Sequence, residues 1–128
     1  MSDFRKLRVW RAAQELVIDT HRVAPRMRGV GSTNLRDQLV RASMSVPTNI
    51  VEGSVHRSPL EFARYVRYSI ASASEVEGHL QTARDVGMVT EPDYSILLER
   101  VVAVRKMLYG LLKRLDPPGD GPPKTGNG

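Results

Sequence analysis

The chain contains no cysteine among its 128 residues, which removes disulfides and thiolate metal sites from consideration and fits a reducing compartment. No uninterrupted apolar run approaches the roughly 20 residues that a membrane span requires. The opening MSDFRKLRVWRAAQ mixes acid and base where a signal peptide would carry an apolar core. These absences predict a cytoplasmic protein with no membrane partner. Nowhere does apolar and polar alternate as in a half-buried strand, so β architecture is not expected.

Motifs of known chemistry are missing as well. No G-x-S-x-G elbow and no phosphate-binding loop occurs, and GVGST lacks the spacing and the lysine of one, so it reads as a plain turn. Helical di-iron sites need a Glu from each of two helices and two Glu-x-x-His pairs. Here Glu52 and His56 are four apart, His79 follows Glu77 by two, and His21 has no carboxylate three residues before it. We expect no enzyme activity, no metal and no cofactor.

What the chain does contain is 41% hydrophobic and 26% charged residues, enough for one globular core. The net charge of +5 is uneven. Residues 1–30 carry seven cations against three acids, whereas residues 58–90 hold three arginines against four acids. A basic first segment permits attraction to nucleic acid or to an acidic partner without choosing between them.

Four amphipathic helices account for the body. The first is expected from about Phe4 to Ala24, with Val9, Trp10, Ala13, Leu16, Val17 and Thr20 on one face; Pro25 ends it. The second opens near Ser32 to Asn34, any of which could cap it, and carries Leu35, Leu39, Ala42, Val46, Ile50 and Gly53 on its apolar stripe. The third starts at Ser58, with Pro59 at the first helical position and Glu61 closing a capping box, and Gly87 suits its end. Phe62, Val66, Ser69, Ile70, Ala73 and Leu80 form its stripe. TEPD opens the fourth, whose seam runs Tyr94, Leu97, Val101, Val104, Leu108, Leu111 and Leu115. Short links between long helices make antiparallel neighbours, hence an all-α, up-down antiparallel four-helix bundle over residues 1–115. The Pro- and Gly-rich tail over 116–128 has no apolar anchor, and we expect it to be disordered.

Pro47 falls inside the second helix, where a proline costs ~3 kcal/mol in an ordinary interior. The stripe stays in phase across it, from Leu39 and Val46 to Ile50 and Gly53, so we expect one helix bent at Pro47. The freed Ser43 carbonyl is expected to meet a hydroxyl or water. Asn49 points toward the stripe, Glu52 sits on its flank, and Glu77 projects among Ile70, Ala73 and Leu80 of the third helix. Buried carboxylates must be paired or hydrogen-bonded. A polar network of Asn49, Glu52 and Glu77 between the second and third helices follows as an expectation.

The stretches FRKLRVWRAAQELV, LRDQLVRASMSVPTNIVEGS and EFARYVRYSIASASEVEGHL resemble the four-helix bundle family of proteins encoded in 23S rRNA intervening sequences. The accessory variability protein of diversity-generating retroelements is grouped with that family. The pattern Q-L-x-R-A-x-x-S-V-x-x-N-I-x-E-G followed by S-x-x-E carries the resemblance, which covers residues 4–115. It implies an up-down bundle that assembles as a barrel-shaped homopentamer with a basic surface. It also implies nucleic acid, RNA first, and a reverse transcriptase as partners.

Two functional readings follow. In the first, the protein is an oligomeric nucleic-acid-binding accessory. Arg8, Arg11, Arg22 and Arg26 on the first helix, with Arg64, Arg67 and Tyr68 on the third, are its candidate contacts, since arginines neutralise phosphates and a tyrosine among them stacks on a base. Against it, basic helix faces are usually solvated surface, and Glu61 and Glu75 dilute the third helix's charge. In the second, the protein is purely a protein-binding assembly module, with Leu98 and Val102 beside the fourth helix's seam as surplus apolar surface.

Overall fold

Local rules place most helix boundaries. The computed structural model describes residues 3–119. Its helices are α1 (Arg8–Val23), α2 (Ser32–Ser54), α3 (Pro59–Asp85) and α4 (Glu91–Leu115). Ser58 caps α3, its hydroxyl accepting the Glu61 N–H at 3.3 Å, and Thr90 caps α4 by accepting the Asp93 N–H at 3.3 Å. At the far end of α3, Gly87 takes φ +76°. The Gly87 N–H donates to the Arg84 carbonyl and the Met88 N–H to the Ala83 carbonyl, the paired bonds of a Schellman motif.

Two boundaries and one capping contact differ from the sequence reading. The first helix does not begin at Phe4: Phe4–Lys6 form a separate 3₁₀ turn capped by Asp3, and Leu7 is extended at φ −78°, ψ 123° before α1 starts. Phe4 then folds edge-on to Trp10, with centroids 5.1 Å apart. None of Ser32 to Asn34 caps α2; its N-cap is Gly31, in the left-handed region at φ +80° with no side-chain bond. The Glu61 carboxylate does not complete a capping box but pairs with Arg64 at 3.0 Å.

Each helix packs on two others: α1 on α2, α2 on α3, α3 on α4 and α4 back on α1, with α2 and α3 sharing the most extensive contact. That closed ring is the up-down antiparallel four-helix bundle. Among the described residues there is no strand, and no helix is long and apolar enough to cross a membrane. Leu16, Leu39, Val46, Ile50, Val66, Leu80, Leu97, Val101 and Leu108 are fully buried in one core, each contributing ~1.5–3 kcal/mol by leaving water. Leu98 and Val102 also pack against this core, which accounts for the extra apolar width of α4. Of the tail, residues 120–128 lie outside the described residues, so the disorder expected there is not a matter for this structure.

Helix α2 runs through Pro47 without interruption, and Pro47 itself is buried. Polar side chains crowd around it. The hydroxyls of Ser43 and Thr48 donate to the carbonyls of Val40 and Met44, the Asn49 amide to Ser45, and the Ser69 hydroxyl of α3 crosses to the Val46 carbonyl. None of these is the Ser43 carbonyl singled out from the sequence. The expected network of Asn49, Glu52 and Glu77 does not form. Asn49 bonds the Ser45 carbonyl and hydroxyl at 2.9 and 3.1 Å, and Ser45 reaches Ser72 of α3 at 2.8 Å. Glu52 is exposed. Glu77 turns the other way, onto Arg105 of α4. The physical reason is desolvation: small neutral hydroxyls and an amide join the closely packed α2–α3 seam at low cost, and carboxylates move to its wet margins.

Candidate functional site

The candidate cations sort by whether a carboxylate already holds them. Arg22 approaches Asp19 at 3.5 Å, but Asp19 is held more tightly by Arg100, at 2.8 Å, which also reaches Glu15 at 3.0 Å. Arg26 forks onto buried Asp93 with bonds of 3.1 and 2.8 Å, and this pairing lowers the Asp93 carboxyl below its ordinary pKa. Arg64 pairs with Glu61, donates to the Tyr68 hydroxyl at 3.0 Å and lies 4.9 Å over the Tyr65 ring. Bonds to Glu61 and then to Tyr68 raise the Arg64 pKa. Arg67 pairs with Asp116. Four of the six candidate arginines are therefore neutralised locally; Arg8 and Arg11 are exposed and have no carboxylate partner among the described residues. The bundle does not bring Arg8 and Arg11 together with Arg64, Arg67 and Tyr68 into one free basic face.

What it assembles instead lies at one end. The up-down path gathers there the start of α1, the 55–58 turn, the start of α3 and the last turn of α4. A cleft of about 390 Å³ is lined by Lys6, Leu7, Arg8, Val9, Met107, Gly110, Leu111 and Arg114. A second, of about 290 Å³, is lined by residues that include His56, Arg57, Ser58, Phe62 and Leu115. The two are neighbours, because Leu7, Leu111 and Arg114 belong to both. Leu7 and Leu111 give both an apolar lining, and Lys6, Arg8, Arg57 and Arg114 bring four positive charges. Among the described residues, no carboxylate lines either cleft. Of the acids nearby in the chain, Asp3 pairs with Arg5, Glu61 with Arg64 and Asp116 with Arg67, while Glu52 is exposed and belongs to neither lining.

Helix dipoles set part of this field. Lys113 and Arg114 at the end of α4 sit where cations are favoured. Arg8 and Arg11 do the opposite: they occupy the first turn of α1, which holds no acid and whose cap makes no side-chain hydrogen bond. Cations over a positive helix terminus gain nothing locally. Beside the second cleft, His56 stacks on Tyr65 at 5.2 Å and 14°, and Tyr68 meets Tyr65 edge-on at 5.6 Å. This cluster joins the cleft to the exposed Arg64–Tyr68 pair.

Sequence reasoning missed Lys6, Arg57 and Arg114. They share no helical face; only the chain's return to one end joins them, and counting cations by bundle end rather than by helix face would have found them. Among the described residues, no three His, Asp or Glu side chains gather as metal ligands.

The model of the 23S rRNA-intervening sequence protein family matches residues 5–110. Among solved structures, the chain is similar to a protein of unknown function from the S23 ribosomal protein family of Bacteroides thetaiotaomicron. The TM-score is 0.74 at 18% identity, over 82% of this chain and 98% of that one. At that identity the likeness shows the fold alone. No curated protein matches the chain.

Proposed function

We propose that this chain, which belongs to the 23S rRNA-intervening sequence protein family, is a non-catalytic accessory protein that binds nucleic acid, RNA first, against the cation-lined end of its bundle. One observation carries the reading: Lys6, Arg8, Arg57 and Arg114 surround two joined clefts that, among the described residues, no carboxylate lines. Each phosphate that such a cation neutralises releases a counterion, with a salt slope of about −0.7 per contact on single strands. Four contacts therefore lower the affinity roughly 50-fold between about 50 and 200 mM salt. The protein acts as a homo-oligomer, and the homopentamer implied by the family resemblance would present five such ends to one RNA, multiplying the contacts without a new site. A reverse transcriptase is the protein partner to test first, on the resemblance to the retroelement accessory protein.

The test is fluorescence anisotropy of a labelled RNA with the full chain at both salt concentrations, alongside light scattering for mass. Double charge reversal at Arg8 and Arg114 should weaken binding of unrelated sequences alike and flatten the salt slope by about two contacts. RNA affinity unchanged by that reversal, or no RNA binding at the lower salt, overturns the reading. The competing reading, a purely protein-binding assembly module, requires oligomers indifferent to RNA and to both reversals.

A further inference from the structure

Resting on that reading of the bundle end, we infer that the site selects an unpaired strand, with a base unstacked into the apolar clefts, and holds duplex by charge alone. Two separate features point there. The first is the clefts' composition. Their volumes of about 390 and 290 Å³ lie at the small end of ligand pockets. Leu7, Val9, Met107 and Leu111 in the larger, and Leu7, Phe62, Leu111 and Leu115 in the smaller, offer an apolar surface under a cationic rim. A duplex keeps its bases stacked inside and shows phosphate outside, so it meets the rim and leaves the walls uncovered. A single strand turns a planar base inward while its phosphates stay with Arg8 and Arg114.

The second feature is the cluster of His56, Tyr65, Arg64 and Tyr68. A guanidinium lies 4.9 and 5.6 Å over two tyrosine rings, and the histidine of the cluster lines the second cleft. Aromatic and guanidinium planes at the edge of a basic groove are platforms for unpaired bases, tolerant of sequence because every base has a π-face. Tyr68 is 45% exposed, which leaves a platform in contact with solvent. Cleft and cluster are continuous through His56, so one strand meets both.

Gly110 gives a clean test. It lines the larger cleft, and a Cβ there meets nothing within 4 Å, so Gly110→Phe fills the cleft without changing charge. The probe is an unstructured RNA of roughly a dozen nucleotides made of A and C only, compared with its blunt duplex. We expect wild type to prefer the single strand. Gly110→Phe should weaken single-strand binding about tenfold and leave the duplex within about twofold. Tyr68→Ala, an exposed change, should move the same ratio independently. Thermal melts establish that each variant is folded. Equal loss on both probes, or an unchanged ratio in both variants, overturns the inference. If the Arg8 and Arg114 reversals weaken binding while Gly110→Phe and Tyr68→Ala both leave the ratio alone, only strand selection fails. If those reversals do nothing, the nucleic-acid reading itself falls.

Discussion

Gly53, in the last turn of α2, should not tolerate even one methyl group. A Cβ there would lie 2.7 and 3.2 Å from Phe62 ring carbons and 2.8 Å from the Tyr65 Cβ. Phe62 is only 7% exposed and packed in the core, and the one open side of its ring is the second cleft, so the contact with Tyr65 decides the cost. The Tyr65 Cβ is fixed to the backbone of α3 and cannot yield alone. The two helices must therefore part. Overpacking of this kind costs ~1–3 kcal/mol, and two contacts inside 3.0 Å argue for the upper half of that range. Replacing glycine by alanine in a helix recovers ~1 kcal/mol of propensity. The net prediction for Gly53→Ala is a loss of ~1–2 kcal/mol.

The controls are internal. At Gly78 and Gly110 an added Cβ meets nothing within 4 Å, so the same substitution keeps only the propensity gain of ~1 kcal/mol. At roughly 4 °C per kcal/mol for a domain of this size, Gly53→Ala should melt ~4–8 °C below wild type and the other two ~4 °C above it. Far-UV circular dichroism melts with urea midpoints read this directly. A Gly53→Ala variant melting at or above wild type would refute the reasoning, because it would mean that the α2–α3 approach is looser than described.

Three further substitutions separate the polar contacts observed from those expected. Glu52→Ala should change stability by no more than ~0.5 kcal/mol and Glu77→Ala, which leaves an Arg105 side chain that is 25% exposed without its partner, by ~1 kcal/mol. A buried network would have cost ~3–5 kcal/mol, and urea titration distinguishes the cases. Ser69→Ala removes the buried hydroxyl that reaches across to the Val46 carbonyl and should cost ~1 kcal/mol; a neutral result would mean the bond contributes nothing net. Asp93 titrates below its ordinary value chiefly because Arg26 donates to it. Its contribution is thus whole above the unfolded carboxylate pKa of about 3.9 and is lost as pH falls through the lower folded value. Urea midpoints measured on the acid side should fall less steeply in Asp93→Asn than in wild type, and identical slopes would contradict the pairing.

The sequence carries what is local. Ser58, Thr90 and Gly87 mark their boundaries through bonds made within three to five residues, and the apolar stripe of α2 runs in phase past Pro47 because a helix continues there. The break at Leu7 was not legible, since FRKLRVW satisfies helical periodicity on either side of it. Pairing was least legible of all. Arg26 finds Asp93 across 67 positions and Arg100 finds Glu15 across 85. A helical wheel shows which way a cation points, but it is silent on whether an acid from another helix is waiting there. That is why the arginines chosen by face proved mostly neutralised, and why the cations that line the clefts come from separate chain segments.

The close α2–α3 seam and the cationic end meet in the same few residues. Gly53 lets α2 lie against Phe62 and Tyr65, and only the Val55–Arg57 turn and the Ser58 cap separate α2 from α3. That turn carries His56 and Arg57, which line the second cleft, and His56 rests on the same Tyr65 that Gly53 touches. A wider seam would lengthen the reach of the turn and lift the histidine from its ring. The small residues that make α2 a poor helix by propensity, Gly53 with Ser43, Ser45 and Ser54, are thus what bring the turn close enough to hold a positive charge over the cleft. In Gly53→Ala, loss of stability and loss of RNA affinity should therefore appear together, whereas in Ser69→Ala, farther along the seam, stability should fall with the affinity unchanged.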